Sequence, residues 1–246
     1  MRKRLAVVVL FAVMILMFAV PVAADTYRYV ALDSQSGTWI TQKKHYWNSD
    51  YTVCTSYVYK VVVPATGYLR INIANAQEYD TIEIKRKRGQ EEPDGYYESG
   101  GRYGVDKGTY YIYADEGQKF KYTYTKAPAG SNFSRAKATV LAKNTRKHIA
   151  QTPAYNFSRW YKARITAKQR INITMNGAFR VLLVTQTGKA VQMSSVNTST
   201  GKRFSSKNVL AAGNYYIVVL RANEEYTYGD YNTYMEEYLG GDISWK

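Results

Sequence analysis

A duplication constrains this chain more than any other feature. Tyr57-Val-Tyr-Lys-Val-Val-Val63 is echoed by Arg159-Trp-Tyr-Lys-Ala-Arg-Ile165, and Leu69-Arg-Ile-Asn-Ile73 by Gln169-Arg-Ile-Asn-Ile173. Lys107-Gly-Thr-Tyr-Tyr-Ile-Tyr113 then recurs as Ala212-Gly-Asn-Tyr-Tyr-Ile-Val218. The copies stand 102, 100 and 105 residues apart and keep their order. Ordered self-similarity at a near-constant offset marks a repeated structural unit. Whatever the first copy folds into, the second must also adopt, in roughly 100 residues, a size at which one core can close. Lys126-Ala-Pro-Ala-Gly-Ser-Asn132, between the copies, is a Pro/Gly/Ser stretch that breaks regular structure. The expected organisation is a first domain over 25–126, a linker over 127–133 and a second domain over 134–246.

The repeated segments read as strands. Among the 246 residues are 25 tyrosines, and tyrosine, valine, isoleucine and threonine suit a pleated, half-buried surface. No sustained apolar period of 3.6 residues occurs after residue 24, so the fold class is all-β. In the second unit, Trp160–Thr166, Arg170–Thr174, Phe179–Thr185, Tyr215–Arg221 and Tyr231–Tyr238 are expected strands. Asn176-Gly177, Thr187-Gly188 and Gly229-Asp230 supply turn chemistry between them. The apolar run Arg180-Val-Leu-Leu-Val-Thr185 reads as a central strand. Short, regularly spaced strands favour a sandwich over a barrel.

The ordered pattern comprises an aromatic-Tyr-Lys strand, an Ile-x-Ile strand, a Thr-Gly-Lys turn and Ala-Gly-x-Tyr-Tyr-Ile. It resembles the bacterial pre-peptidase C-terminal domain, over Ser134 to Trp245 in the second unit. Its markers there are Trp160-Tyr161-Lys162, Thr187-Gly188-Lys189 and Leu210-Ala-Ala-Gly-Asn-Tyr-Tyr-Ile217. In the first unit Tyr57-Val-Tyr-Lys60 and Lys107-Gly-Thr-Tyr-Tyr-Ile112 fit, while Lys85-Arg-Lys-Arg-Gly-Gln-Glu-Glu-Pro-Asp94 departs from the pattern. The resemblance implies two tandem antiparallel, jelly-roll-like β-sandwich modules of the accessory kind found on exported proteins, with no activity of their own.

Residues 1–24 read as a secretory signal peptide. Arg2, Lys3 and Arg4 form a basic start, Leu5 to Val20 carries no charge, and Pro21 precedes the small residues Val22-Ala23-Ala24. Cleavage after Ala24 is the expectation; the alternative is an uncleaved anchor, for which the run falls short of the ~20 apolar residues a span needs. A secreted or envelope-associated location follows. Cys54 is the single cysteine, so no intramolecular disulfide can form. An exported chain without bridges points to a bacterial protein with a self-sufficient core, and Cys54 reads as a small buried hydrophobe. Formal net charge is +15, of which Arg2, Lys3 and Arg4 supply three. Export turns that charge away from nucleic acid and toward extracellular anionic polymers, acidic glycans or another exported protein. A generally basic, soluble surface is the plainer alternative.

No catalytic motif appears. The two histidines, His45 and His148, lie outside any triad or metal-ligand spacing, and His148 reads as a loop residue. No cofactor is expected. A structural calcium is a candidate at Glu224, Glu225 and Asp230, whose carboxylates crowd one turn, and Glu91, Glu92 and Asp94 crowd another. The densest charge, Lys85-Arg86-Lys87-Arg88, follows the expected strand Thr81–Ile84. Alternation forbids burying all four, so they form a protruding loop, either a solvated tip or a polyanion contact. Trp39, Trp47, Tyr96, Tyr97 and Tyr103 are candidates for a sugar-stacking platform. Of each Tyr-Tyr pair in the repeat, Tyr110-Tyr111 and Tyr215-Tyr216, one ring must point inward and one outward. The leading expectation is a non-catalytic binding or accessory protein for a glycan or anionic wall polymer. The alternatives are a protein–protein interaction module without a small ligand, or a hydrolase.

Overall fold

The first and third repeat segments lie side by side as antiparallel strands, and their counterparts do the same in the same register. Lys60 faces Tyr111 and Val63 faces Gly108, while Lys162 faces Tyr216 and Ile165 faces Gly213. The structure is a computed structural model and describes residues 26–77, 80–88, 95–127, 130–152, 158–177, 179–199, 201–221, 227–228, 231–232 and 239–246. The expected signal peptide, residues 1–24, lies outside them. All regular structure described is β apart from one 3-10 turn, Arg135–Lys137. No helix among the described residues is long and apolar enough to cross a membrane.

In chain order the first half contributes β1 (Thr26–Asp33), β2 (Ile40–Thr41), β3 (Tyr46–Trp47), β4 (Val53–Val63), β5 (Gly67–Ile73), β6 (Thr81–Lys85), β7 (Gly95–Glu98), β8 (Arg102–Val105), β9 (Gly108–Tyr113) and β10 (Lys119–Lys126). The second half contributes β11 (Thr139–Val140), β12 (Lys147–Gln151), β13 (Arg159–Ile165), β14 (Asn172–Asn176), β15 (Phe179–Thr185), β16 (Met193–Thr198), β17 (Gly201–Ser206), β18 (Gly213–Arg221) and β21 (Leu239–Trp245). A separate hairpin pairs β19 (Thr227–Tyr228) with β20 (Tyr231–Asn232), so of the expected strand Tyr231–Tyr238 only this start is described.

Three larger sheets result. The first-half outer sheet runs β1-β4-β9-β6-β7, with β3 on β4; the second-half outer sheet runs β11-β13-β18-β15. Facing both is one shared sheet, β16-β17-β14-β21-β8-β5-β10-β2, with β12 on β21. Within it, β8-β5-β10-β2 and β17-β14-β21-β12 repeat the same order. The duplication seen in the sequence is therefore also a duplication of strand order.

Alternation builds two apolar clusters between these layers. In β4, Tyr59, Val61 and Val63 turn inward while Lys60 and Val62 do not. They meet Leu69, Ile71, Ile82, Ile84, Ile112 and Phe120 in the first cluster. Their counterparts Tyr161, Ala163, Ile165, Ile171, Ile173 and Ile217 anchor the second cluster, which Trp245 closes. Each fully buried aliphatic side chain contributes ~1.5–3 kcal/mol by leaving water. The tyrosine pairs split as alternation demands: Tyr110 and Tyr215 enter the cores, and Tyr111 and Tyr216 stay partly exposed.

Three expectations need correction. The sheets are not purely antiparallel, because β1 pairs with β4, and β11 with β13, in parallel. Both pairs sit at the same place in the repeated order, so the parallel edge is part of the repeated unit. The run Arg180–Thr185 is not a central strand: β15 ends its sheet, pairing along its length only with β18 among the described residues. Its outward side chain Leu182 is exposed, which is why an apolar run did not mean burial on both faces. His148 lies on strand β12 rather than in a loop.

The halves meet along a close seam. Leu239 of β21 pairs with Tyr103 of β8. Tyr68 packs with Ala127 and Ala150, and its hydroxyl donates to Asp242 Oδ1 at 2.8 Å. Nδ1 of His148 lies 2.6 Å from the same oxygen. Thr152 donates to Asp106 at 3.0 Å. Within 127–133, Ala127 and Asn132 are buried; Asn132 donates to the Trp160 carbonyl at 2.8 Å, and Arg159 donates to the Gly130 carbonyl. These contacts fasten that segment to its neighbours; residues 128–129 lie outside the described residues.

Candidate functional site

The solvent face of the shared sheet, in its first half, gathers cations. Along β10, Phe120 and Tyr122 point into the core, so Lys119 and Lys121 must point out. In β5, Leu69 and Ile71 are inward and Arg70 outward, and Tyr103 inward on β8 leaves Arg102 outward. Arg70 and Arg102 are directly opposed partners on adjacent strands, and Thr123 stands opposite Arg70 on β10. Among the described residues, none of these four cations has a carboxylate within ion-pair distance. Asp242, on the same sheet, is buried and engaged by Tyr68 and His148. Like charges opposed across a strand pair oppose folding, and Nε of Arg102 is buried with no hydrogen-bond partner.

Trp39, just before β2, closes this face at one end. It is 42 % exposed, and its ring has Lys121 Nζ at 4.7 Å and Lys119 Nζ at 5.8 Å from its centroid. A cation over an indole face is attracted by the ring quadrupole, by about 0.5–1 kcal/mol at an exposed site. The arrangement offers a flat aromatic edge beside fixed positive charge. Beyond the seam the same sheet turns neutral, with Asn172, Thr174, Asn176, Ser205 and Ser244 outward and Arg203 as their charged neighbour.

The other expected site residues lie elsewhere. Lys85 does not belong to a protruding loop: it ends β6, is 7 % exposed, binds Glu83 at 2.9 Å and lies 4.4 Å from the Tyr113 ring centroid. The strand carries it outward, but neighbouring side chains cover it. Arg86, Lys87 and Arg88 are exposed. Arg86 sits 3.9 Å from Asp106, while Arg88 borders a groove of about 580 Å³ along Tyr27–Ala31 of β1. The basic run is thus divided among separate surroundings.

Trp47 joins a different cluster, on the solvent side of the first-half outer sheet. Tyr27 and Trp47 stand on either side of Cys54 in the pairing register, their rings 6.0 Å apart and edge-on. Tyr29 contacts Tyr27 at 6.4 Å and Tyr113 at 5.9 Å. This explains why Cys54, on an outward-facing row, is nevertheless buried. Tyr103 is not part of any platform, being fully buried in the first core. Tyr96 and Tyr97 fall on β7, opposite Glu83 and Ile82, but their side chains are not among those described. Glu224, Glu225 and Asp230, like Glu91, Glu92 and Asp94, also lie outside the described residues. Among those described, no group of three or more histidine, cysteine or acidic side chains could hold a metal ion.

Burial raises the ionisation of Tyr59, Tyr68, Tyr122, Tyr124 and Tyr161 above the ordinary tyrosine value of 10.0, with desolvation the largest cause in each. For Tyr68 the hydrogen bond to Asp242 adds to the effect. The unfolded chain therefore releases these protons before the folded protein does. Their contribution to stability is complete below pH 10.0 and is lost as pH rises through the raised values. Urea midpoints between about pH 8 and 11 are expected to fall only at the alkaline end. A midpoint that stays flat across that range would contradict the buried placement of these phenols.

No protein-family profile matches this chain, and neither does any curated protein sequence.

Proposed function

We propose that this is an exported, non-catalytic binding or accessory protein of a bacterial cell envelope, built from two tandem β-sandwich modules over 25–126 and 134–246. Its ligand is a glycan or anionic wall polymer. The observation that carries this reading is the exposed Trp39 ring with the ammonium groups of Lys119 and Lys121 over it, at one end of the cationic sheet face. A ring stacks on the apolar face of a sugar, while unpaired cations beside it attract the acidic substituents of the same polymer. Two apolar clusters with the same strand order support the tandem organisation. The likeness to pre-peptidase C-terminal domains supports an accessory role.

A second reading has its own observation. The Tyr27, Tyr29, Trp47 and Tyr113 rings form an aromatic surface of the kind that anchors protein interfaces. In that reading the protein docks another exported protein.

Sedimentation with insoluble bacterial cell wall separates the two. Retention at low salt that falls steeply as salt is raised, and that Trp39→Ala weakens, is the expected result. Absence of retention at low salt would sink the first reading. Retention that Tyr27→Ala abolishes and Trp39→Ala leaves intact would favour the second.

A further inference from the structure

The four cations of the shared sheet follow a bent path, first across β8 and β5 and then along β10. Arg102 on β8 stands opposite Arg70 on β5, Arg70 stands at the level of Thr123 on β10, and Lys121 and Lys119 follow at alternate positions along β10. Strands are spaced by about 4.8 Å and rise about 3.4 Å per residue. The anchor points of successive cations are therefore roughly 5, 8 and 7 Å apart along that path. Trp39 flanks its Lys119–Lys121 end.

Close spacing without carboxylates at ion-pair distance distinguishes this path from an ordinary basic surface, where cations alternate with acids. It also carries a cost, because neither Arg70 nor Arg102 has a carboxylate within ion-pair distance among the described residues. We propose that this path is a binding track for a linear phosphodiester polymer, which crosses β8 and β5 and turns along β10, with one phosphate shared by Arg70 and Arg102 and later phosphates at Lys121 and Lys119. The proposal rests on the wall-binding reading above and names its ligand. Phosphate rather than carboxylate is assigned because two opposed guanidinium forks can share the several oxygens of one phosphate, at the end where the repulsion is greatest. The ring of Trp39 covers the polyol or sugar repeat between phosphates at the other end.

The test is isothermal titration of the full mature chain with poly(glycerol phosphate), across a salt series, beside polygalacturonate of matched length. Binding of the phosphate polymer is expected, weakened about tenfold or more by Arg70→Thr combined with Arg102→Thr. The slope of log affinity against log salt should flatten by roughly 0.7–0.9 for each phosphate that no longer meets a cation. Arg203→Thr, on the other half of the same sheet, should leave affinity within about twofold. Relief of repulsion should leave the Arg70→Thr protein melting no lower than the parent, so weaker binding by that single variant, measured beside the double one, cannot be charged to unfolding. Equal losses of affinity from Arg203→Thr and the arginine pair would overturn the track. Equal or tighter binding of polygalacturonate would overturn the phosphate assignment. Retention on cell wall without any affinity for poly(glycerol phosphate) would overturn this inference and leave the broader function standing; loss of both would remove both.

Discussion

Ile217→Ala is expected to destabilise the protein by about 2–5 kcal/mol while leaving a single unfolding transition. Ile217 is fully buried on β18, between β13 and β15, in the middle of the second core. Truncation removes three carbon atoms from a site whose neighbours, strands held on both sides, cannot collapse into the gap. Ile112→Ala, at the equivalent place on β9 in the first half, should have a similar effect. Both halves should nevertheless unfold together, because the shared sheet and the seam couple them. Scanning calorimetry reads this as a calorimetric enthalpy equal to the van't Hoff enthalpy. Two resolved transitions in the Ile217→Ala protein would show that the halves are thermodynamically separate.

The larger effect on that coupling is expected from Gly104→Ala. A Cβ at position 104 of β8 would run into the backbone carbonyls of Gln151 and Leu239, both from the second half. Main chain held in β12 and β21 cannot rotate away as a side-chain tip would, so relief requires the seam to open. About 3 kcal/mol of destabilisation is expected from the overpacking, which for a chain of this size lowers the melting temperature by roughly 6–12 °C. A split thermogram should accompany it, unlike the single transition of Ile217→Ala. Unchanged melting in the Gly104→Ala protein would mean that β8 and β21 do not pack as described.

These two positions differ in how plainly the sequence announces them. Ile112 and Ile217 belong to repeated Tyr-Tyr-Ile segments, where alternation puts the isoleucine on the side of the first tyrosine, and the structure shows that side to be the inward one. Cys54 is likewise expected to be buried, and it is. Gly104 is silent, since a glycine within a strand looks the same whether it faces solvent or another backbone. Gly240 and Gly241 hide β21 for a similar reason. β21 runs through both, at places where Tyr68, Asn176 and Phe179 leave no room for a Cβ.

The candidate site is legible only in part. Trp39 is a sequence candidate, but its partners Lys119 and Lys121 are overshadowed by the denser run Lys85–Arg88. Local charge density is the wrong signal: consecutive residues on a strand point to opposite faces, so adjacent charges are dispersed. A period-two pattern of cations, as in Lys119-Phe-Lys121-Tyr, is what concentrates charge on one face, and it is present in the sequence.

By itself the sequence determined the all-β class, the duplication, and the alternation of inward and outward side chains along each repeated strand. These follow from local alternation and self-similarity, which require no knowledge of which strands become neighbours. The tertiary structure alone decided the sheet order, the parallel edge strands, the edge position of β15 and the sheet shared between the halves. It also decided that Arg70, Arg102, Lys119 and Lys121 gather on one face of that sheet. Those facts depend on strand pairing between segments far apart in the chain, and no single strand records its neighbour.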